Sequence, residues 1–132
     1  VIDIVLPPIE AIIDIHAELL AEHGGAPGLR DRGALEASLA RARQILAYAE
    51  EDPTLFDLAA AVCASIVRTH PFVDGNKRAG FAALGMTLML NGAYLDVAEH
   101  EATRVILDLA AGRSDEDEFR RWVARNCGTC GA

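Results

Sequence analysis

The chain has 132 residues and a formal net charge of −8. That length suits one domain with its own core, and the acidic balance argues against a protein built to grip phosphate backbones, which carries a basic patch or stripe. The three Cys, an odd number, argue against a disulfide framework and for a reducing cytoplasm, and no apolar run is long and uncharged enough to span a membrane.

Apolar residues make up 52% of the chain, mostly Ala and Leu rather than aromatic or β-branched types, which favours helices. Residues 1–6 alternate weakly (Ile2, Ile4, Leu6) and read as a short strand or an extended arm. The opening "VIDIVLPP" has no basic region of the kind that begins a signal peptide. Pro7 and Pro8 open a first helix, where a missing N–H costs little. Ile9, Ile12, Ile13, His16, Leu19 and Leu20 then recur at helical spacing. Gly24-Gly25 ends it. The segment 24–33, "GGAPGLRDRG", is a loop or tight hairpin.

Leu35, Leu39, Ala42, Ile45 and Leu46 mark a second helix, with Arg41 and Arg43 off its apolar stripe. Asp52 followed by Pro53 predicts the cap and first turn of a third, spanning about 53–69. Its run "LFDLAAAVCASIV" is apolar on most faces and therefore buried. A fourth helix, "FAALGMTLMLNG", is equally apolar and closes at Asn91-Gly92; Met86 and Met89 are expected in the core. Tyr94–Val97 is a connector, and a fifth helix runs from about Ala98 to Ala111. Ser114 and the acids behind it predict a capped sixth helix carrying Phe119, Trp122 and Val123. The tail 127–132, "CGTCGA", is expected to fray; its CxxC spacing lacks the second ligand pair that zinc needs. The expectation is a single all-α domain over 1–132, a compact bundle of about six helices with two central buried ones.

Between those two helices stands "HPFVDGNKRAG", residues 70–80, the densest polar stretch of the chain. His70 ends one buried helix, and Gly75, Asn76, Lys77 and Arg78 begin the next. A helix start presents unpaired N–H groups and a positive dipole end, a ready anion site. Gly75 lets a phosphate approach the backbone, and Lys77 and Arg78 add charge. Asp74 is a hard oxygen ligand of the kind that holds Mg²⁺ together with substrate phosphates. A histidine can take a proton from a hydroxyl. Base, carboxylate and anion cradle within nine residues spell phosphoryl or nucleotidyl transfer.

These residues resemble the Fic/Doc family, whose motif runs His-(Pro)-Phe-x-(Asp/Glu)-Gly-Asn-(Gly/Lys)-Arg. His70, Phe72, Asp74, Gly75, Asn76, Lys77 and Arg78 match it at fixed spacing. Length, helical layout and the 24–33 loop resemble the death-on-curing (Doc) branch of toxins. The resemblance implies a Fic-type core with a short flap at 24–33. It implies His70 as general base, Asp74 as the Mg²⁺ ligand, and Gly75, Asn76, Lys77 and Arg78 as holders of the ATP phosphates. Phe72 would anchor the loop in the core. Lys77 stands where the AMP-transferring members carry Gly, and Phe81 stands where they carry a second Arg. The resemblance therefore implies γ-phosphate transfer to a Ser or Thr hydroxyl of a protein, with elongation factor Tu among the targets it suggests. It also implies a cognate antitoxin docking a helical segment. Pro71 and Gly75 are the Fic-like positions, so AMP transfer is the alternative.

Each residue also has a plainer role. His70 could cap the third helix and Asp74 the fourth. His16, His23 and His100 have no partners at metal spacing and read as surface or packing residues. Ser114–Glu118 fits the first five positions of the family's inhibitory (Ser/Thr)-x-x-x-Glu-(Gly/Asn) motif, Phe119 breaks the sixth, and the segment reads as helix capping. A silent partner-binding module and an RNA-directed growth inhibitor are the readings from other classes; the −8 charge speaks against the second.

Overall fold

The computed structural model describes residues 3–48 and 53–129. Among them are six helices, α1 (Ile9–His23), α2 (Arg32–Tyr48), α3 (Leu55–Thr69), α4 (Asn76–Leu90), α5 (Glu99–Ala110) and α6 (Glu116–Arg125). Two short strands, β1 (Ala93–Leu95) and β2 (Cys127–Thr129), complete the chain order with β1 between α4 and α5 and β2 at the end. The fold is all-α apart from this short ribbon, with two central buried helices, α3 and α4, as the sequence led us to expect.

The centre is α3, whose residues from Leu58 to Val67 are all buried. It packs against α4, α2 and α6. On one flank, Leu58, Val62 and Ile66 meet Ile12 of α1, Leu35 and Leu39 of α2, and Phe72. On the other, Ala60, Cys63, Ala64 and Val67 meet Leu84 and Leu88 of α4, Ile106 of α5 and Phe119 and Trp122 of α6. The α3–α4 approach depends on Gly80. A Cβ there would lie 2.8 Å from Val67 Cγ2 and 3.1 Å from the Cys63 carbonyl oxygen. That closeness brings the end of α3 beside the start of α4.

The helix ends depart from the sequence expectation in three places. The cap of α3 is Thr54, in a reciprocal capping box with Asp57; Asp52 lies outside the described residues. The cap of α6 is Asp115 rather than Ser114, because Asp115 and Glu118 are at the spacing that satisfies both orphan amides. Asp31 caps α2 by accepting the Ala34 N–H at 3.0 Å, so Arg32 and Gly33 belong to the helix rather than the loop.

Two further expectations are corrected. The segment 127–129 does not fray; β2 pairs antiparallel with β1, Tyr94 opposite Gly128. The Tyr94 ring lies over Gly128, so close that a Cβ would sit 2.6 Å from it. Residues 130–132, with the second Cys of the CxxC, lie outside the described residues. Met89 is not core but 70% exposed. The inward stripe of α4 is Ala83, Leu84, Thr87 and Leu88, and Met89 turns away from it.

Candidate active site

Residues 70–75 cross from α3 to α4 in a tight loop. His70 ends α3 at φ 51° and ψ 59°, and it is the only non-glycine at positive φ among the described residues. Glycine is usual there, because a side chain costs energy in this conformation. Phe72 then drops into the core, 1% exposed. Its backbone is gripped by Asn76: Oδ1 accepts the Phe72 N–H at 2.9 Å, and Nδ2 donates to the Phe72 carbonyl at 3.0 Å. The same Nδ2 lies 3.4 Å from His70 Nδ1. Asn76 is buried, and its side chain serves the loop from within.

Gly75, not Asp74, is the cap of α4, at φ 74° and ψ 25°. The Asp74 side chain turns instead to the flap. Its Oδ2 accepts the Ala26 N–H at 3.1 Å, and its Oδ1 accepts the Gly75 N–H at 2.8 Å. These amides, Ala26 first, hold the carboxyl below the usual carboxylate range, and the Arg78 charge adds to the effect. Gly25 makes room for this contact: at φ 122°, a Cβ would stand 2.9 Å from Asp74 Oδ2.

The flap, residues 24–31, lies along the loop. Leu29 bridges antiparallel to Phe72, and Val73 N–H donates to the Gly28 carbonyl at 3.0 Å. Beneath the loop, His16 of α1 stacks on Phe72 and its Nε2 lies 2.8 Å from the Asp74 carbonyl oxygen. A carbonyl only accepts, so Nε2 carries the proton.

A cleft of about 740 Å³ opens at the first turn of α4. Asp74, Gly75, Asn76, Lys77 and Arg78 form its polar side, and Leu19, Phe81, Leu95, Ile106 and Leu107 its apolar side. The first-turn N–H groups of α4 have no carbonyl within the helix. Lys77 and Arg78 are exposed and form no ion pair among the described residues. The cleft is therefore cationic at one end within an acidic protein. His70 is exposed and does not line it; Asn76 links the two. Among the described residues, no three His, Cys, Asp or Glu side chains gather as a metal cage. One carboxylate beside a helix start with unpaired N–H groups and two cations is nevertheless a fitting donor for Mg²⁺, which takes its remaining oxygens from phosphates and water.

The residues singled out by sequence thus share one loop and one helix start. Two other residues of the site, His16 and Arg30, carry little or no sequence signal. His16 occupies a stripe position four residues after buried Ile12 on α1, which is its only mark. Arg30 sits in an aperiodic loop that offers none.

The family model of the Fic/DOC family matches residues 6–88, which contain the flap and the loop. A protein named Toxin Doc from Mycolicibacterium smegmatis is 42% identical over 72 residues, covering 54% of this chain and 55% of that protein. Protein kinase doc of Escherichia phage P1 is 35% identical over 86 residues, covering 65% of this chain and 68% of that protein. The chain so spans about half the length of the first relative and about two thirds of the second. With its matched segment holding the helix pair, the loop and the anion cradle, the chain belongs to the Fic/DOC family.

Proposed function

We propose that this protein is a Doc-type toxin that transfers the γ-phosphate of ATP to a Ser or Thr hydroxyl of a target protein. The observation that carries the reading is a histidine held at the end of α3 beside a helix start that bears Lys77. The name of the phage relative, a protein kinase, supports it.

The chemistry follows from the loop. Asn76 Nδ2 lies 3.4 Å from His70 Nδ1 and marks the ring edge that faces α4. The neutral imidazole keeps one lone-pair nitrogen, and the nitrogen turned to the target hydroxyl, free of Asn76, takes its proton. The hydroxyl oxygen bonds to the γ-phosphorus while the bond from phosphorus to the bridging oxygen breaks, and ADP leaves with that electron pair. His70 then returns its proton to solvent. The first-turn N–H groups of α4, Lys77 and Arg78 hold the phosphate oxygens throughout. Asp74 is the residue that would hold Mg²⁺, which when bound neutralises phosphate charge.

The apolar side of the cleft suits the apolar face of an amphipathic helix, and a cognate antitoxin is proposed as its source. The site of action is the cytoplasm, and elongation factor Tu is the first target to test.

The experiment is mass spectrometry of a cell lysate after incubation with the purified protein, Mg²⁺ and ATP. One Ser or Thr should gain a phosphate, and His70→Ala should slow that gain by about 10²–10⁴-fold. An AMP adduct would reassign the enzyme as an adenylyltransferase. Absence of any adduct, with antitoxin binding intact, would make the domain a silent binding module.

A further inference from the structure

Three successive carbonyls at the end of α3 point at one residue. Arg30 Nε donates to the His70 carbonyl at 2.8 Å, and Nη2 donates to the Thr69 carbonyl at 2.9 Å and again to that of His70. The Arg30 backbone N–H donates to the Pro71 carbonyl at 2.8 Å, and the Asp31 N–H joins it at 2.9 Å. Carbonyls at a helix C-terminus have no intrahelical donors and carry the negative end of the dipole. A single guanidinium and the backbone that carries it meet that need here. They do so at the one non-glycine in the left-handed region among the described residues.

From this geometry we infer that Arg30 is the positioning residue for His70, and that it makes the flap and the base one mechanical unit. Resting on the reading of His70 as the base, the inference adds what keeps it in place. A left-handed histidine relaxes toward the right-handed region unless its surroundings over-determine it. Its own N–H, bonded to the Ile66 carbonyl at 3.2 Å, is compatible with a continuing helix. Asn76 touches its ring at only 3.4 Å. The Arg30 fork, by contrast, fixes where the His70 carbonyl points. Turning His70 back into α3 would swing that carbonyl away from Nε and Nη2. The planar two-nitrogen fork is what spans adjacent carbonyls, and a lysine offers one point charge in its place.

The test compares wild type with Arg30→Ala, Arg30→Gln and Arg30→Lys by two independent readouts. The first needs no activity: the φ-sensitive backbone coupling of His70 by NMR, with amide exchange at Asp31 and Val73. Arg30→Ala should move the coupling toward right-handed values and speed both amides at least about tenfold, while amides of α5 keep their protection. The second is phosphoryl transfer. Arg30→Ala should lower kcat roughly 10- to 100-fold with the KM for ATP within about twofold, because base geometry is lost and the cradle is not. Arg30→Lys should recover only part of either effect. Unchanged coupling and exchange in Arg30→Ala would overturn the inference, and so would a loss confined to KM. Should Arg30→Ala not fold, Arg30→Gln, which keeps one donor, decides by the same readouts. Should wild type transfer nothing, the kinase reading falls, and the backbone readout alone still decides the role of Arg30.

Discussion

The imidazole of His16 lies flat on the phenyl ring of Phe72, with centroids 3.7 Å apart and planes 14° from parallel. Its Nε2 donates to the Asp74 carbonyl in the same loop. One side chain of α1 therefore supports the loop from below at two points. His16→Ala removes the stack and orphans the carbonyl, a loss of about 2–3 kcal/mol in unfolding free energy. His16→Phe keeps a ring against Phe72 and should lose about half as much. Chemical denaturation of both variants checks the order; equal losses would show that the stack contributes nothing.

Two glycines of α4 should respond with opposite sign to the same change. Gly80→Ala drives a methyl into Val67 and the Cys63 carbonyl, and should destabilise by about 1–3 kcal/mol. A methyl at Gly85 would meet nothing within 4 Å. Gly85→Ala should stabilise by about 0.5–1 kcal/mol, since alanine is the better helix former. Thermal midpoints that move in the same direction would contradict the assigned closeness of α3 and α4.

The flap tether through Asp74 sets a dependence on acid. Its carboxyl is held below the ordinary aspartate range by the Ala26 and Gly75 amides. A depressed carboxyl contributes its contact fully above the ordinary range and loses it as pH falls through the depressed value. In magnesium-free buffer the Ala26 amide resonance should hold steady from neutral pH through the usual aspartate range and move only in stronger acid. Asp74→Asn should abolish that acid transition. A midpoint at or above the ordinary aspartate value would mean the carboxylate does not hold the flap.

Cys63 has no exposure in the middle of α3, and burial, followed by the Glu116 charge, pushes its thiol far up. Native protein treated with N-ethylmaleimide should leave Cys63 unmodified on the timescale that labels an exposed thiol. Denaturant should release it. Mass spectrometry of the labelled peptides distinguishes Cys63 from half-buried Cys127; ready native labelling of Cys63 would mean that α3 opens locally.

Much of the fold is legible in the sequence because the helices obey one period. The apolar runs locate α1 to α6, and the polar stretch between two buried helices locates the loop. What the sequence hides has a physical pattern. The Tyr94–Gly128 ribbon is three residues per strand, too short to show an alternation. Thr54 and Asp115 compete with neighbours, Asp52 and Ser114, of equal capping chemistry. Arg30 and His16 meet the loop across 40 and 58 residues of chain, and their roles exist only after folding. Asn76 could face a phosphate or the loop, and residue type alone does not choose; the structure turns its amide inward and leaves its backbone to the cleft.

The packing of α3 reaches beyond the segment that the family model covers. That segment ends at residue 88, yet Ala60, Cys63, Ala64 and Val67 are sealed by Ile106, Leu109, Phe119, Trp122 and Val123. The seal is clasped from outside, where Arg41 of α2 reaches Glu116 of α6 through two hydrogen bonds of 2.8 and 2.7 Å. A fragment cut at residue 88 would hold every residue of the loop and still expose a greasy seam along its central helix. Its natural fate would be self-association rather than chemistry, so the last third of the chain acts as an intramolecular chaperone for the central helix while Leu95, Ile106 and Leu107 wall the cleft.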